Sequence, residues 1–227
     1  MRAARVVVRN ALLLALTFSA GYVDALSYLG LGRVFTANMT GNTVLLGIAI
    51  AQLNSEAAVR STLALAGFLS GAVPAAWIVE RDRSESPWPR PVTVALSLEG
   101  MILAVFAVGW RLADQLPASV PILVVLSALA MGVQSAAAHR LEVSGVTTTV
   151  LTGTLINLAA RLMGRGRPRN RPVFRRSMLL AGVWAIYFAG AAIAAVVLAR
   201  SEALASALPP GLIMLIVIIA AVRFRAR

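Results

Sequence analysis

The stretch Phe35–Gly47, FTANMTGNTVLLG, lies between two strongly apolar runs yet gathers Thr36, Asn38, Thr40, Gly41, Asn42 and Thr43. A second polar stretch, Thr148–Ile156, reads TTVLTGTLI and supplies Thr149, Thr152, Gly153 and Thr154. Glycine frees the backbone, and short polar side chains cap the helix that follows. The chemistry on offer is a helix N-terminus whose free N–H groups and partial positive charge face an anion or a polar headgroup. Two acids add to it. Thr17, Gly21, Asp24 and Tyr28 recur at steps of four, three and four and share one helical face. Asp24 falls about 20 Å along a 30 Å span, too deep for a short acid to reach water. Glu99 is the eighth residue of another apolar run, 92–110, with no basic neighbour inside it. Ionisable groups at such depth usually face a bundle interior or a water path, so both acids are candidates for coupling to a proton or sodium ion.

The elements that must position these residues are membrane spans. Of 227 residues, 59% are hydrophobic and 13% charged, outside the range of ordinary soluble domains. Eight apolar segments follow by hydropathy: 11–31, 36–53, 61–79, 92–110, 120–138, 146–162, 177–199 and 208–222. Most approach the length that crosses a hydrocarbon core about 30 Å thick. The second and sixth, which carry the Thr-Gly elements, read as broken or half-length helices. The fold class is therefore all-α, a polytopic helix bundle forming one membrane domain over 1–227. The start, MRAARVVVRNALLLALTFSA, has the outline of a signal peptide. Because the apolar run continues through GYVDALSYLGLG, a retained first span is the better reading.

An internal repeat is visible. GYVDA (Gly21–Ala25) aligns with GVQSA (Gly132–Ala136) and TANMTGNTV with TTVLTGTLI, at offsets of 111 and 112 residues, while LSGA (Leu69–Ala72) aligns with FAGA (Phe188–Ala191) at 119. The halves are expected over about 11–111 and 120–222, with the two Thr-Gly elements meeting in one packing layer. The face matching Thr17, Gly21, Asp24 and Tyr28 reads Ala128, Gly132, Ser135 and His139, so the acid is not duplicated. Gln134 joins the candidate site as the amide of the second motif.

Arginine sets the orientation, because cytoplasmic loops are enriched in basic residues. If all eight segments cross, one side holds 15 Arg against 6; if the second and sixth enter and return on one side, the split is 17 against 4. Both arrangements put the N- and C-termini in the cytoplasm, and the second makes the halves inverted, as in many secondary transporters. The loop Arg161–Arg176 has seven Arg and no acid. In a membrane protein this reads as attraction to anionic lipid headgroups rather than to nucleic acid. The loop Glu80–Pro91 balances its charges and reads as a connector.

Cysteine is absent and His139 is the only histidine. Thiol chemistry is excluded and a His-based metal site is disfavoured. No cofactor is expected.

The two motif blocks, GYVDALSYLGLGRVFTANMTGNTVLLG and GVQSAAAHRL followed by VTTTVLTGTLINLA, resemble the YoaK-like family of bacterial inner-membrane proteins, a domain of unknown function. The resemblance covers nearly the whole chain and departs at Ser135, where asparagine is expected. It implies a small multi-pass protein of the bacterial inner membrane and no particular substrate. On the residues, the leading reading is a small transporter or permease. Its central site is lined by Asn38, Thr40, Gly41, Asn42, Thr149, Thr152, Gly153, Thr154, Tyr28 and Gln134, with Asp24 or Glu99 coupling. The alternative is a non-transporting assembly or lipid-interacting protein, since Gly67, Gly71, Ala72, Gly182 and Gly190 suit tight helix packing in either case. An intramembrane enzyme is disfavoured, with no thiol, no His cluster and no closely spaced carboxylate pair. A small solute or ion, and a second copy of the chain, remain open as partners.

Overall fold

The computed structural model describes residues 2–82, 84, 86–112, 119–141 and 171–224. These form seven helices: α1 (Arg2–Gly30), α2 (Met39–Ala51), α3 (Ser55–Glu80), α4 (Arg90–Arg111), α5 (Ser119–Arg140), α6 (Arg171–Leu198) and α7 (Glu202–Arg223). Five of them, α1, α3, α4, α5 and α7, are long and apolar enough to cross a membrane. With 28 residues, α6 matches them in length, whereas α2, at 13 residues, rises only about 20 Å.

Local chemistry marks the helix ends. Asn38, Asn54 and Ser201 cap α2, α3 and α7, their side chains accepting from the N–H groups of Gly41, Ala57 and Leu204. A proline in the first turn opens α4, where its missing N–H is no loss. After α1 the chain reverses through Gly32 and Arg33, both at positive φ.

The direction of each helix follows from contacts at its ends. Gly30 abuts the Trp110 ring and Gly32 the Arg60 side chain. The end of α1, the start of α3 and the end of α4 therefore lie on one face. Arg111 donates to the Ala203 carbonyl at 3.3 Å, which adds the start of α7. On the opposite face Arg140 donates to the carbonyls of Val79 and Asp82 at 3.2 and 2.7 Å, and Trp88 stacks on Phe224 at 5.6 Å. Because α1 ends where α3 begins, α2 enters the bundle and returns on the same face. The start of α1 and the end of α7 lie on the other face, with Arg5, Arg9, Arg81, Arg90, Arg140 and Arg223; the face that α2 enters from holds Arg33, Arg60, Arg111 and Arg200.

Two helix pairs close backbone to backbone. A Cβ at Gly21 of α1 would overlap the Tyr187 carbonyl of α6, and one at Gly190 would overlap the Phe18 carbonyl. In the same way Gly71 of α3 meets the Leu129 carbonyl of α5, and Gly132 meets the Phe68 carbonyl. Without a hydrophobic drive between helices in lipid, such close approach supplies the packing that holds them. The core between the pairs joins α1, α4, α5 and α7 through Leu13, Leu16, Leu96, Leu103, Met131 and Ile213. Pro209 in α7 removes the N–H that would bond the Ala205 carbonyl, and the Tyr22 hydroxyl of α1 donates to that carbonyl instead at 3.1 Å.

Candidate functional site

Asp24 lies six residues before the end of α1 and is 2% exposed. The chain that turns back after α1 brings three consecutive N–H groups onto one of its carboxylate oxygens: Thr36 at 2.8 Å, Ala37 at 2.6 Å and Asn38 at 3.3 Å. Successive amides curled around an anion form an anion-binding concavity. The other carboxylate oxygen accepts the Tyr187 hydroxyl from α6. Four donors thus surround Asp24, and hydrogen bonds to an ionised group are the strong ones.

The rest of the break is built around this latch. Asn42, fully buried, accepts from the Phe35 N–H at 2.9 Å and donates back to the Phe35 carbonyl, so its amide completes the irregular backbone as a neighbouring strand would. The Ser27 and Thr36 hydroxyls pair at 3.2 Å. Tyr28 stacks on Phe35 with ring centroids 5.0 Å apart. Gly41 leaves room for that ring, since a Cβ there would come within 2.9 Å of it. Thr40 is exposed, and Thr17 is buried and bonded to Leu13 of its own helix at 2.9 Å.

Four N–H groups of this turn are therefore occupied from within. Asp24 takes those of Thr36, Ala37 and Asn38, and the Asn38 side chain takes that of Gly41. The physical reason is that irregular backbone at membrane depth must be satisfied by protein or by a watery cavity, and here the protein does it.

Asp24, Asn38, Gly41, Asn42 and Tyr28 come together. Gln134 and Glu99 do not join them. Gln134 donates to the Leu16 carbonyl at 3.1 Å, and Leu16 is two turns of α1 away from Asp24, about 12 Å. Glu99 sits within the buried face of α4, fully enclosed, and neither of its oxygens has a partner. Thr149, Thr152, Gly153 and Thr154 lie outside the described residues, as does Arg161–Asn170 of the basic loop. Tyr187 was missed by sequence reasoning. It stands 163 residues from Asp24, and the aligned position in the first half is Phe68, so no local or repeat signal points to it.

The comparisons with known proteins come to the same chain from outside. The family model described as "Protein of unknown function (DUF1275)" matches residues 12–220. The chain belongs to that family. It is 42% identical over 189 residues to "UPF0700 transmembrane protein YoaK" of Bacillus subtilis (strain 168), covering 82% of this chain and 83% of that one. No solved structure matches. Family membership and the helix lengths together make this a multi-pass membrane protein whose helices contact the lipid bilayer.

Proposed function

We propose that the protein is a small permease of the bacterial inner membrane, with its termini in the cytoplasm and the basic stretch Arg161–Arg176, whose last residues open α6, against anionic lipid headgroups. The observation that carries this reading is α2, a half-length helix entering from one face, whose polar N-terminal turn is held inside the bundle by Asp24. Secondary transporters build their sites from discontinuous helices of this kind. The terminal face carries the greater share of Arg among the described residues, which supports a cytoplasmic location for it.

The two halves are read as inverted copies. In support, Gly21 and Gly132, Phe18 and Leu129 are each 111 residues apart, while Gly71 and Gly190, Phe68 and Tyr187 are each 119 apart. Aligned residues make the same backbone contacts across the two pairs α1·α6 and α3·α5, and α1 and α5 run in opposite directions. The protein is not read as an enzyme, since it has no cysteine and one histidine.

A second reading, a non-transporting assembly or lipid-interacting protein, is favoured by the Asp24 hydrogen bonds, which engage the N–H groups of Thr36, Ala37 and Asn38 within the protein. Flux separates the two. Liposomes containing the protein and a pH-reporting dye, challenged with panels of small inorganic anions, amino acids and sugars, should show solute-dependent dye or tracer signals above protein-free liposomes. If no panel member moves in wild-type liposomes, the permease reading fails.

A further inference from the structure

The two buried acids differ in one respect: Asp24 has four donors and Glu99 has none. Glu99 lies on the buried stripe of α4 that runs Val92, Ala95, Leu96, Glu99, Gly100, Leu103, and both of its oxygens are enclosed and unpartnered. A carboxylate anion with neither donor nor cation is not sustained in an apolar interior. Something must neutralise it.

Among the described residues, the helices packed on α4 offer no charge at this level. On α5 the titratable and charged groups, His139 and Arg140, lie in the last turn. On α7 Glu202 and Arg223 occupy the two end turns, and next to Glu99 the residue Gly100 meets Ile213 and Met214. On α3 Glu56, Arg60 and Glu80 are near the ends, and Asp24 of α1 is committed to Tyr187 and the turn. What α5 does offer is Gln134. Gly109 of α4 packs on Leu123 of α5, and in antiparallel helices the register then sets residue 99 level with residue 133, beside Gln134. That side chain is 5% exposed. Its nitrogen is engaged by Leu16, while its oxygen is buried without a partner.

We infer that Glu99 and Gln134 form a proton-binding site in the centre of the bundle, in which the neutral Glu99 carboxyl donates its O–H to the Gln134 Oε1. One proton neutralises the carboxyl and pairs one Glu99 oxygen with the Gln134 oxygen, which leaves a neutral carbonyl oxygen as the remaining unpartnered atom. A hard cation fits less well, because such ions take about six or more oxygen ligands and these two side chains supply three. Loss of the proton to water leaves an anion that requires donors, so release demands that water reach the space between α4 and α5. Asp24 then serves as the fixed latch of the α2 turn and Glu99 as the exchangeable site. The use of this proton for coupling rests on the permease reading; its presence does not.

Infrared spectra of the full-length protein in liposomes of neutral lipid at neutral pH test the site directly. Wild type should show a protonated-carboxyl carbonyl band that is lost in E99Q, kept in D24N, and shifted to higher frequency in Q134L, which removes the acceptor. E99D, which keeps the acid, should retain a band and guards against failure of E99Q to fold. The inference is overturned if wild type lacks the band, if E99Q retains it, if D24N alone removes it, or if Q134L leaves its frequency unchanged. In matched liposomes a pH gradient should drive solute flux in wild type and not in E99Q. A wild-type band without any solute flux sinks the permease reading and leaves the proton site standing.

Discussion

The Tyr187 hydroxyl on α6 donates to the Asp24 carboxylate on α1, and the same two helices close through Gly21, whose Cβ would overlap the Tyr187 carbonyl. Removing a Cβ at Gly21 draws α6 near enough for the phenol to reach an acid one turn further along α1. Close packing and the polar latch are one device. Tyr187→Phe should therefore destabilise the protein by about 1.5 to 3 kcal/mol, the range for a hydrogen bond to a charged group. Thermal unfolding in detergent reads the change. In a cycle with Asp24→Asn the two effects should fall well short of additive; full additivity would mean that the hydroxyl and the carboxylate act independently.

The glycine contacts make a graded prediction. Gly21→Leu, Gly190→Leu, Gly71→Leu and Gly132→Leu each drive a side chain into a backbone carbonyl and should strip protein from the monodisperse peak in size exclusion. Gly47→Ala and Gly182→Ala, with open space around the added carbon, should elute as wild type does. Equal tolerance at all six positions would remove the case for backbone-close helix pairs.

Topology can be read by labelling, because the chain has no native cysteine. Leu53, 92% exposed in the turn between α2 and α3, belongs to the face opposite the termini only if α2 returns to the side it entered from. Leu53→Cys should react with an impermeant maleimide from the same side as Arg200→Cys, and Ser86→Cys from the other. Reaction of Leu53→Cys together with Ser86→Cys would show that α2 crosses.

Tyr22 satisfies a carbonyl that Pro209 leaves without its helical partner. Tyr22→Phe should cost about 1 to 3 kcal/mol for the unsatisfied buried carbonyl. Pro209→Ala restores an N–H at that position and should recover part of the loss in the double variant. No recovery would show that the phenol acts through packing alone.

The sequence by itself determined that the chain is a membrane helix bundle, since apolar runs separated by Arg-bearing loops have no other stable form in lipid. It also marked the polar stretch, because Thr, Asn and Gly inside an apolar run are a local signal, and it singled out Asp24 and Glu99 by depth. But it put the break at Thr40-Gly41-Asn42, which lie in the first turn of α2, whereas the irregular backbone is residues 31–38 just before it. It put the second segment at 36–53; the regular helix begins only at Met39, because residues 36–38 turn their N–H groups toward Asp24 rather than along a helix axis. Tertiary structure decided what occupies those N–H groups, that Tyr187 completes the latch, and that Glu99 is enclosed away from it without a partner. These depend on which faces of helices more than a hundred residues apart meet, and on the fraction of a turn by which each is rotated. Hydropathy reports how deep a residue lies along its own helix; the partner across the gap is fixed only when backbones close on one another at Gly21, Gly71, Gly132 and Gly190.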